Sequence, residues 1–283
     1  MTARIAVLGS VNLDIVATGA TLPAPGETVT NAVLAQHPGG KGANQALAAA
    51  RLGADVWLSA RVGNDANADA ALRLLREAEV DLSHIRADDT AATGVALIAV
   101  SASGENQIVV APGANATLTP DHMRLPPADA LILQLEIPLE TVSAAARDFH
   151  GFLALNLAPA APLPAATLAR ADLIVANEGE AAFYGEAIHA ARGHVAITYG
   201  AKGAALFKQG KKIAEAAPPP ITPVDTTGAG DTFVAALTLA LLEGQSHEAA
   251  LRFACAAGAV TATRAGAQTS LPSREEVEAI LTP

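Results

Sequence analysis
From residue 130 onward, short blocks of consecutive apolar residues alternate with longer stretches whose apolar positions recur at helical spacing. The blocks at 130–135, 153–156, 172–176 and 194–198 read as buried strands, and the stretches at 139–149 and 164–169 as helices between them. Strands and helices in this order join through right-handed crossovers into one parallel sheet. The N-terminal part follows the same grammar, with strand 4–8, helix 43–52 stopping at Gly53, strand 56–61 and helix 69–78. Residues 93–100 and 107–111 break it. They are β-rich runs separated only by the turn Ser103-Gly104-Glu105-Asn106, so they predict an antiparallel hairpin. With runs near 13–18 and 28–37, this hairpin is expected to build a small separate sheet. A second hairpin, 204–207 and 211–215, leads into Pro218-Pro219-Pro220, and an apolar helix covers 251–262. The expected fold class is α/β: a single domain over 1–283 with a mainly parallel central sheet. A discontinuous β-sheet lid, from about 12–38 and 93–112, stands off it.

Composition narrows what such a fold can do. With 283 residues, 51% of them hydrophobic, the chain can bury a large core. Its 28 acidic residues against 18 Lys and Arg give a net charge of −10, which argues against a nucleic-acid partner and for small ligands. The single cysteine, Cys255, lies in the apolar 251–262 helix and reads as a buried structural thiol, suited to a reducing cytoplasm. No run approaches the ~18 uncharged apolar residues of a membrane span, and no basic then apolar targeting segment precedes the first strand.

The richest chemistry lies in Val224-Asp225-Thr226-Thr227-Gly228-Ala229-Gly230-Asp231-Thr232-Phe233, which joins a proline-rich loop to a nearly all-apolar helix. Glycines at a helix start let a ligand approach free N–H groups, and the helix dipole favours an anion there. Asp231 is either a first-turn cap or, beside such an anion hole, a base for an attacking hydroxyl. A second glycine-rich helix start, Gly39-Gly40-Lys41-Gly42-Ala43-Asn44, is neither a Walker A loop nor GxGxxG. Close helix packing would explain its glycines, but Lys41 and Asn44 suit sugar hydroxyls and a phosphate. Polar residues also follow strands, where open parallel sheets bind ligands: Asn12 and Asp14 after the first, then Glu136, Asn156 and Asn177-Glu178-Gly179-Glu180. Asn177 and Glu180, one helical turn apart, are placed to hold the water shell of a magnesium ion.

Three of these motifs, in this order, resemble the two signature regions and the magnesium motif of the ribokinase (PfkB) sugar-kinase family: Gly39 to Asn44, Asn177 to Glu180, and Asp225 to Asp231. The resemblance spans essentially the whole chain. It implies an ATP-dependent kinase with a Rossmann-like α/β/α body and a β lid, and the unpaired edges and apolar face of the lid strands predict a homodimer formed through the lids. Asp231 is then the base, and Gly228, Ala229 and Gly230 are the anion hole. Asn12, Asp14, Gly40, Lys41, Asn44 and Glu136 hold the sugar. Asn177, Glu180, Thr198, Gly200, Gly203 and Gly230 serve the nucleotide, with magnesium reaching Glu180 through water. Potassium would bind Asp225 and Ser270 with the carbonyls of Thr227, Thr261, Arg264 and Gly266. The chain departs from the family pattern at Ala68, where glycine is usual, in a short 180–194 segment, and at Cys255, where relatives often place a polar residue near the adenine. A Rossmann oxidoreductase would need GxGxxG after the first strand, which Gly9-Ser10-Val11-Asn12-Leu13-Asp14 does not supply. A catalytically silent sugar-binding protein would have no need of Asp231, Asn177 and Glu180 together.

Absences point to the substrate. Between positions 5 and 56 the only basic residues are Lys41 and Arg51, and between 94 and 113 there are none, so no cations are set aside for a sugar phosphate. Neither stretch contains Phe, Tyr or Trp to stack a nucleoside base. A small unphosphorylated sugar is expected. By resemblance, D-ribose phosphorylated at its 5-hydroxyl comes first, and another free sugar second.

Overall fold
In the computed structural model, which describes residues 2–282, the chain begins with β1 (Arg4–Leu8), β2 (Asn12–Thr18), β3 (Val33–Gly39), α1 (Lys41–Arg51), β4 (Asp55–Gly63) and α2 (Ala66–Glu77). It continues through β5 (Ile85–Asp88), β6 (Gly94–Val100), β7 (Asn106–Ala111), β8 (Ala130–Leu133), α3 (Leu139–Asp148), β9 (Phe152–Asn156), α4 (Ala165–Arg170), β10 (Leu173–Asn177) and α5 (Glu178–Tyr184). The last part holds β11 (His194–Thr198), β12 (Ala204–Lys208), β13 (Lys211–Ala216), α6 (Ala229–Leu242), α7 (His247–Thr261), α8 (Ala267–Ser270) and α9 (Arg274–Leu281).

Nine strands form the central sheet in the order β13-β12-β11-β10-β9-β8-β1-β4-β5, parallel from β11 to β5 and antiparallel at β12 and β13. Side chains alternate across a strand, so a strand apolar at every position feeds both faces. In β1, Ile5 and Val7 enter the core beneath α1, α6 and α7, while Ala6 and Leu8 enter the core beneath α3 and α4. Helix α6 is apolar all round because it is enclosed, packed between the sheet, α1 and α7; ten of its residues are buried.

The smaller sheet has the order β3-β2-β6-β7, with β2 and β6 parallel and the outer pairs antiparallel. Its register begins at Asn12 opposite both Gly39 and Gly94, so β2 leaves the body at the point where Gly39 leads into α1. The predicted hairpin 93–100/107–111 is therefore present as β6 and β7. The strand expected over 28–37 starts only at Val33, after a loop containing Pro23, Pro25, Gly26 and a left-handed Asn31 (φ 66°).

Other boundaries move for local reasons. Helix α2 starts at Ala66, before the expected 69, because the side chain of Asp65 caps it by accepting from Ala68 N–H at 3.0 Å. Helix α7 starts at His247, before 251, behind a Ser246 cap. Strand β5 was not expected from Ile85-Arg86-Ala87-Asp88, a short charged edge, and α9 follows a Ser273/Glu276 capping box. Among the described residues, no helix is long and apolar enough to cross a membrane.

Candidate active site
Two cavities meet at the N-terminus of α6. The first, of about 380 Å³, lies between the body and the small sheet. Strand ends of the body supply Asn156 and Asn177, and the loop after β8 supplies Glu136. Helix α1 supplies Lys41 and Asn44, and β2 supplies Asn12 and Asp14. The small sheet closes one wall with Ala96, Ile98, Ile108 and Val110. The second cavity, of about 430 Å³, runs between the Thr198 to Gly203 loop, the proline-rich 218–223 segment and the α6/α7 pair. Thr198, Thr226 and Gly230 line both.

Asp231 is the third residue of α6 and is 6% exposed. Its Oδ2 accepts from Asn44 Nδ2 at 2.9 Å and its Oδ1 from Gln45 Nε2 at 3.0 Å. Burial raises its pKa, and the neighbouring Lys41 ammonium opposes that shift. Lys41 in turn is held protonated, above its ordinary value, chiefly by Asp231.

Gly228 precedes the helix in a left-handed conformation, φ 82°, which a side chain would strain, and a Cβ there would meet Ala267 backbone atoms at 3.3 Å. Among the described residues, the N–H groups of Gly228, Gly230 and Asp231 donate to no protein acceptor, whereas that of Ala229 donates to the Thr226 carbonyl at 3.2 Å. Three free donors at a helix start make an anion site in which the N–H of Asp231 stands beside those of the expected glycines.

The expected sugar-side residues come together. Gly40, with φ 87°, lies so close to the first loop that a Cβ would sit 2.8 Å from Asn12 N and 2.9 Å from Ser10 O. Glu136 Oε2 accepts from Ser10 Oγ at 2.6 Å and from Lys41 N–H at 3.0 Å, so both the first loop and the start of α1 are keyed to one carboxylate. Asn115 fixes Asn12: its Nδ2 donates to Asn12 Oδ1 at 2.7 Å, and its Oδ1 accepts from Val11 N–H at 2.9 Å. Burial, together with Glu136 and Asp231, pushes Asp14 up to about 6.

Asn177 and Glu180 form a reciprocal capping box at the start of α5. Asn177 Oδ1 accepts from Glu180 N–H at 2.9 Å, and Glu180 Oε2 accepts from Asn177 N–H at 2.8 Å. Both still line the first cavity, and burial raises Glu180 above the usual carboxylate range. Thr198, Gly200 and Gly203 line the second cavity with Phe233 and Cys255. The Cys255 thiol is pushed up to about 11 by burial, which keeps it protonated.

Asp225 ties the loop to the chain beyond α7. Its Oδ1 accepts from Thr227 N–H at 2.9 Å and Thr227 Oγ1 at 2.7 Å, and its Oδ2 from Gly266 N–H at 2.9 Å. Burial would raise its pKa, but these hydrogen bonds outweigh it and hold the group ionised. Arg264 turns its guanidinium to Glu276, Thr261 Oγ1 donates at 2.9 Å to Thr232 Oγ1, and Ser270 Oγ donates to the Ala267 carbonyl at 2.8 Å. Among the described residues, no group of three or more His, Cys, Asp or Glu could hold a metal ion.

Gln45 was not singled out from sequence, and Asn156 was singled out only as a strand-end polar residue. Gln45 and Asn156 carry the hydrogen bonds behind Asp231. A second amide next to Asn44, followed by alanine and leucine alone through Ala50, was the available signal for Gln45.

The chain belongs to the pfkB family of carbohydrate kinases, whose profile matches residues 2–274. It is thus an ATP-dependent sugar kinase. It is 40% identical over 292 residues to the ribokinase of Bacillus subtilis (strain 168), covering 98% of this chain and 99% of that one. The crystal structure of ribokinase from Thermotoga maritima superposes with a TM-score of 0.90 at 33% identity, covering 99% of this chain and 100% of the other. The Arabidopsis thaliana ribokinase complexed with ribose and ATP superposes with a TM-score of 0.87 at 31% identity, covering 100% of both chains.

Proposed function
We propose that this kinase phosphorylates D-ribose at its 5-hydroxyl, and that the cavity under the small sheet is its sugar site. The observation that carries the substrate class is charge. Asp14, Glu136, Glu180 and Asp231 line that cavity, and among the described residues Lys41 is its only basic side chain and no aromatic residue lines it. Four carboxylates against one ammonium repel a substrate that brings its own phosphate, and nothing there stacks a flat base. The same carboxylates, with Asn12 and Asn44, accept and donate hydrogen bonds to several hydroxyls. The complex of the Arabidopsis relative with ribose and ATP supports the choice of pentose.

Asp231 accepts the proton of the 5-hydroxyl as that oxygen bonds to the γ-phosphorus of ATP, and the bond to the ADP oxygen breaks. The free N–H groups of Gly228, Gly230 and Asp231 receive the charge on the transferred group, and Lys41 stands beside it. The second cavity takes the nucleotide, with Thr198, Gly200 and Gly203 along its loop side. Magnesium, held through water by Glu180 and Asn177, would neutralise the phosphates. A potassium ion would find hard oxygen donors at Asp225, at Ser270 and at the carbonyls of Thr227, Thr261, Arg264 and Gly266, the donor type that replaces its hydration shell. The small sheet acts as a lid, its apolar wall excluding water from the sugar. The enzyme works in the cytoplasm, where the Cys255 thiol stays reduced, as a homodimer joined through its lids.

A coupled assay of ADP release tests the substrate. The expected order of kcat/KM is ribose first, other free sugars behind it, and fructose 6-phosphate and adenosine at least about 100-fold lower, the discrimination a site of paired polar groups gives. Equal or better turnover of either of the last two would overturn the reading.

A further inference from the structure
We infer that Gln45 is the positioning residue of the catalytic base: a chain of hydrogen bonds running from the Val175 carbonyl through Asn156 and Gln45 aims an amide N–H at Asp231 and nowhere else. The inference rests on Asp231 being the base. Asn156, at the end of β9, donates its Nδ2 to the Val175 carbonyl of β10 at 3.2 Å. A backbone carbonyl only accepts, so this bond decides which end of the Asn156 amide is which. Asn156 Oδ1 therefore faces Gln45, where it accepts from Nε2 at 3.1 Å. Gln45 is completely buried, and the other hydrogen of the same Nε2 goes to Asp231 Oδ1 at 3.0 Å. Turning the Gln45 amide over would set its oxygen against two acceptors.

The cost of the arrangement is visible. Gln45 Oε1 is buried with no hydrogen-bond partner, and so is Asn44 Oδ1. Adjacent residues of α1 thus both leave an amide oxygen unsatisfied while both nitrogens point at one carboxylate. Unpaired buried acceptors are rare and destabilising, so their occurrence in a pair around Asp231 points to a requirement beyond packing. A carboxylate that receives only donors on both oxygens, in a buried site, is stabilised in its ionised form and fixed in rotation. Gln45 does not line the sugar cavity, whereas Asn44 does. Its role is to keep the base ionised and aimed without contacting substrate.

The charged groups facing Asp231 are Lys41 on α1, Glu136 after β8, Asp14 on β2 and Glu180 on α5. Lys41 favours the ionised form and the three carboxylates oppose it, so loss of an amide donor shifts the balance toward protonation. Gln45→Met removes the donor at nearly constant volume, and Gln45→Glu replaces it with a second carboxyl. The pH dependence of kcat/KM for ribose is measured for both, with KM values at the pH optimum. Expected for Gln45→Met is an acid limb moved up by about one pH unit, the size of one hydrogen bond to a charged group, with KM for ribose and ATP within about twofold. Gln45→Glu, whose carboxyl shares a proton with Asp231, is expected to move the limb further in the same direction. Profiles that superpose on the parent enzyme with only a lower kcat would assign Gln45 a structural role and overturn the inference.

Asp231→Asn is run alongside. Retained turnover there refutes the base assignment itself, whereas an inactive Asp231→Asn with unmoved Gln45 profiles refutes only the relay. Should neither Gln45 variant fold, the parent protein still answers through the side-chain amide resonance of Gln45 in a 15N-labelled sample. A pH-dependent shift of that resonance, absent in Asp231→Asn, is expected, and a resonance indifferent to pH would count against the relay.

Discussion
Asp14 lines the first cavity beside two other carboxylates, and its own carboxylate lies over Gly39, where a Cβ would come within 2.3 Å of it. Burial first, then Glu136 and Asp231, raise it from 3.8 to about 6, so the folded protein holds that proton more tightly than the unfolded chain does. The resulting stability is complete below about pH 4 and is lost as the pH rises through 6. At pH 8 the ionised Asp14 therefore destabilises the fold, a cost that the proposed acceptance of sugar hydroxyls by this carboxylate would account for. Asp14→Asn is expected to raise Tm by roughly 3 to 6 °C at pH 8 and hardly at all at pH 4, while raising KM for ribose. Thermal melts at the two pH values check this, and an equal gain at both would show that the charge is not the cause. Asp14, Lys41, Asn44 and Asp231 were legible in the sequence because each sits in a glycine-rich turn or at a strand end. Gln45 and Asn115 were not, since a buried amide inside a helix or a loop shows no signal until its partners, Asp231 and Asn12, are known to lie beside it.

At the scale of elements, the start of α6 is held by groups far away in sequence. Val224 and Asp225 N–H groups donate to the Ala262 carbonyl at 2.8 and 3.3 Å, and Asp225 binds Gly266 across the same gap. The loop that presents the free N–H groups is thus tied to the segment following α7. A potassium ion among Asp225, Ser270 and the nearby carbonyls would lock the two together, ordering the anion site before ATP arrives. Adding potassium to a sodium-free, Tris-buffered assay is expected to raise kcat several-fold, and Asp225→Asn to remove most of that response. A flat potassium titration would remove the ion from this enzyme. The strand and helix sequence of the body could be read from hydrophobic period because each element is buried on a definite face. Boundaries set by caps were misjudged: Asp65 starts α2 early, and Asn177 and Glu180 also serve as a helix cap, which their spacing alone had suggested only as a magnesium site.

For the molecule as a whole, the small sheet presents a problem the body cannot solve. Ala96, Ile98, Ile108 and Val110 face the first cavity, so the register of β6 and β7 turns Leu97 and Val109 to the opposite side, and that of β2 and β3 places Leu34 with them. Leu34 is 65%, Leu97 50% and Val109 65% exposed. Strands β3 and β7 are also open edges, an arrangement that proteins usually pair or block. A second copy of the same sheet presents the same apolar face and the same unpaired edges, and a two-fold contact between them would cover both at once. It would also stiffen β2 and β6, which carry Asn12 and Asp14 and close the sugar cavity. Light scattering at micromolar protein is therefore expected to give the mass of a dimer. A Leu97→Lys, Val109→Lys double variant is expected to give a monomer whose KM for ribose rises more than its KM for ATP, because the proposed sugar site alone lies under the small sheet. A monomeric mass for the parent protein would refute the lid-to-lid dimer, and a monomeric variant with unchanged KM for ribose would separate assembly from sugar binding.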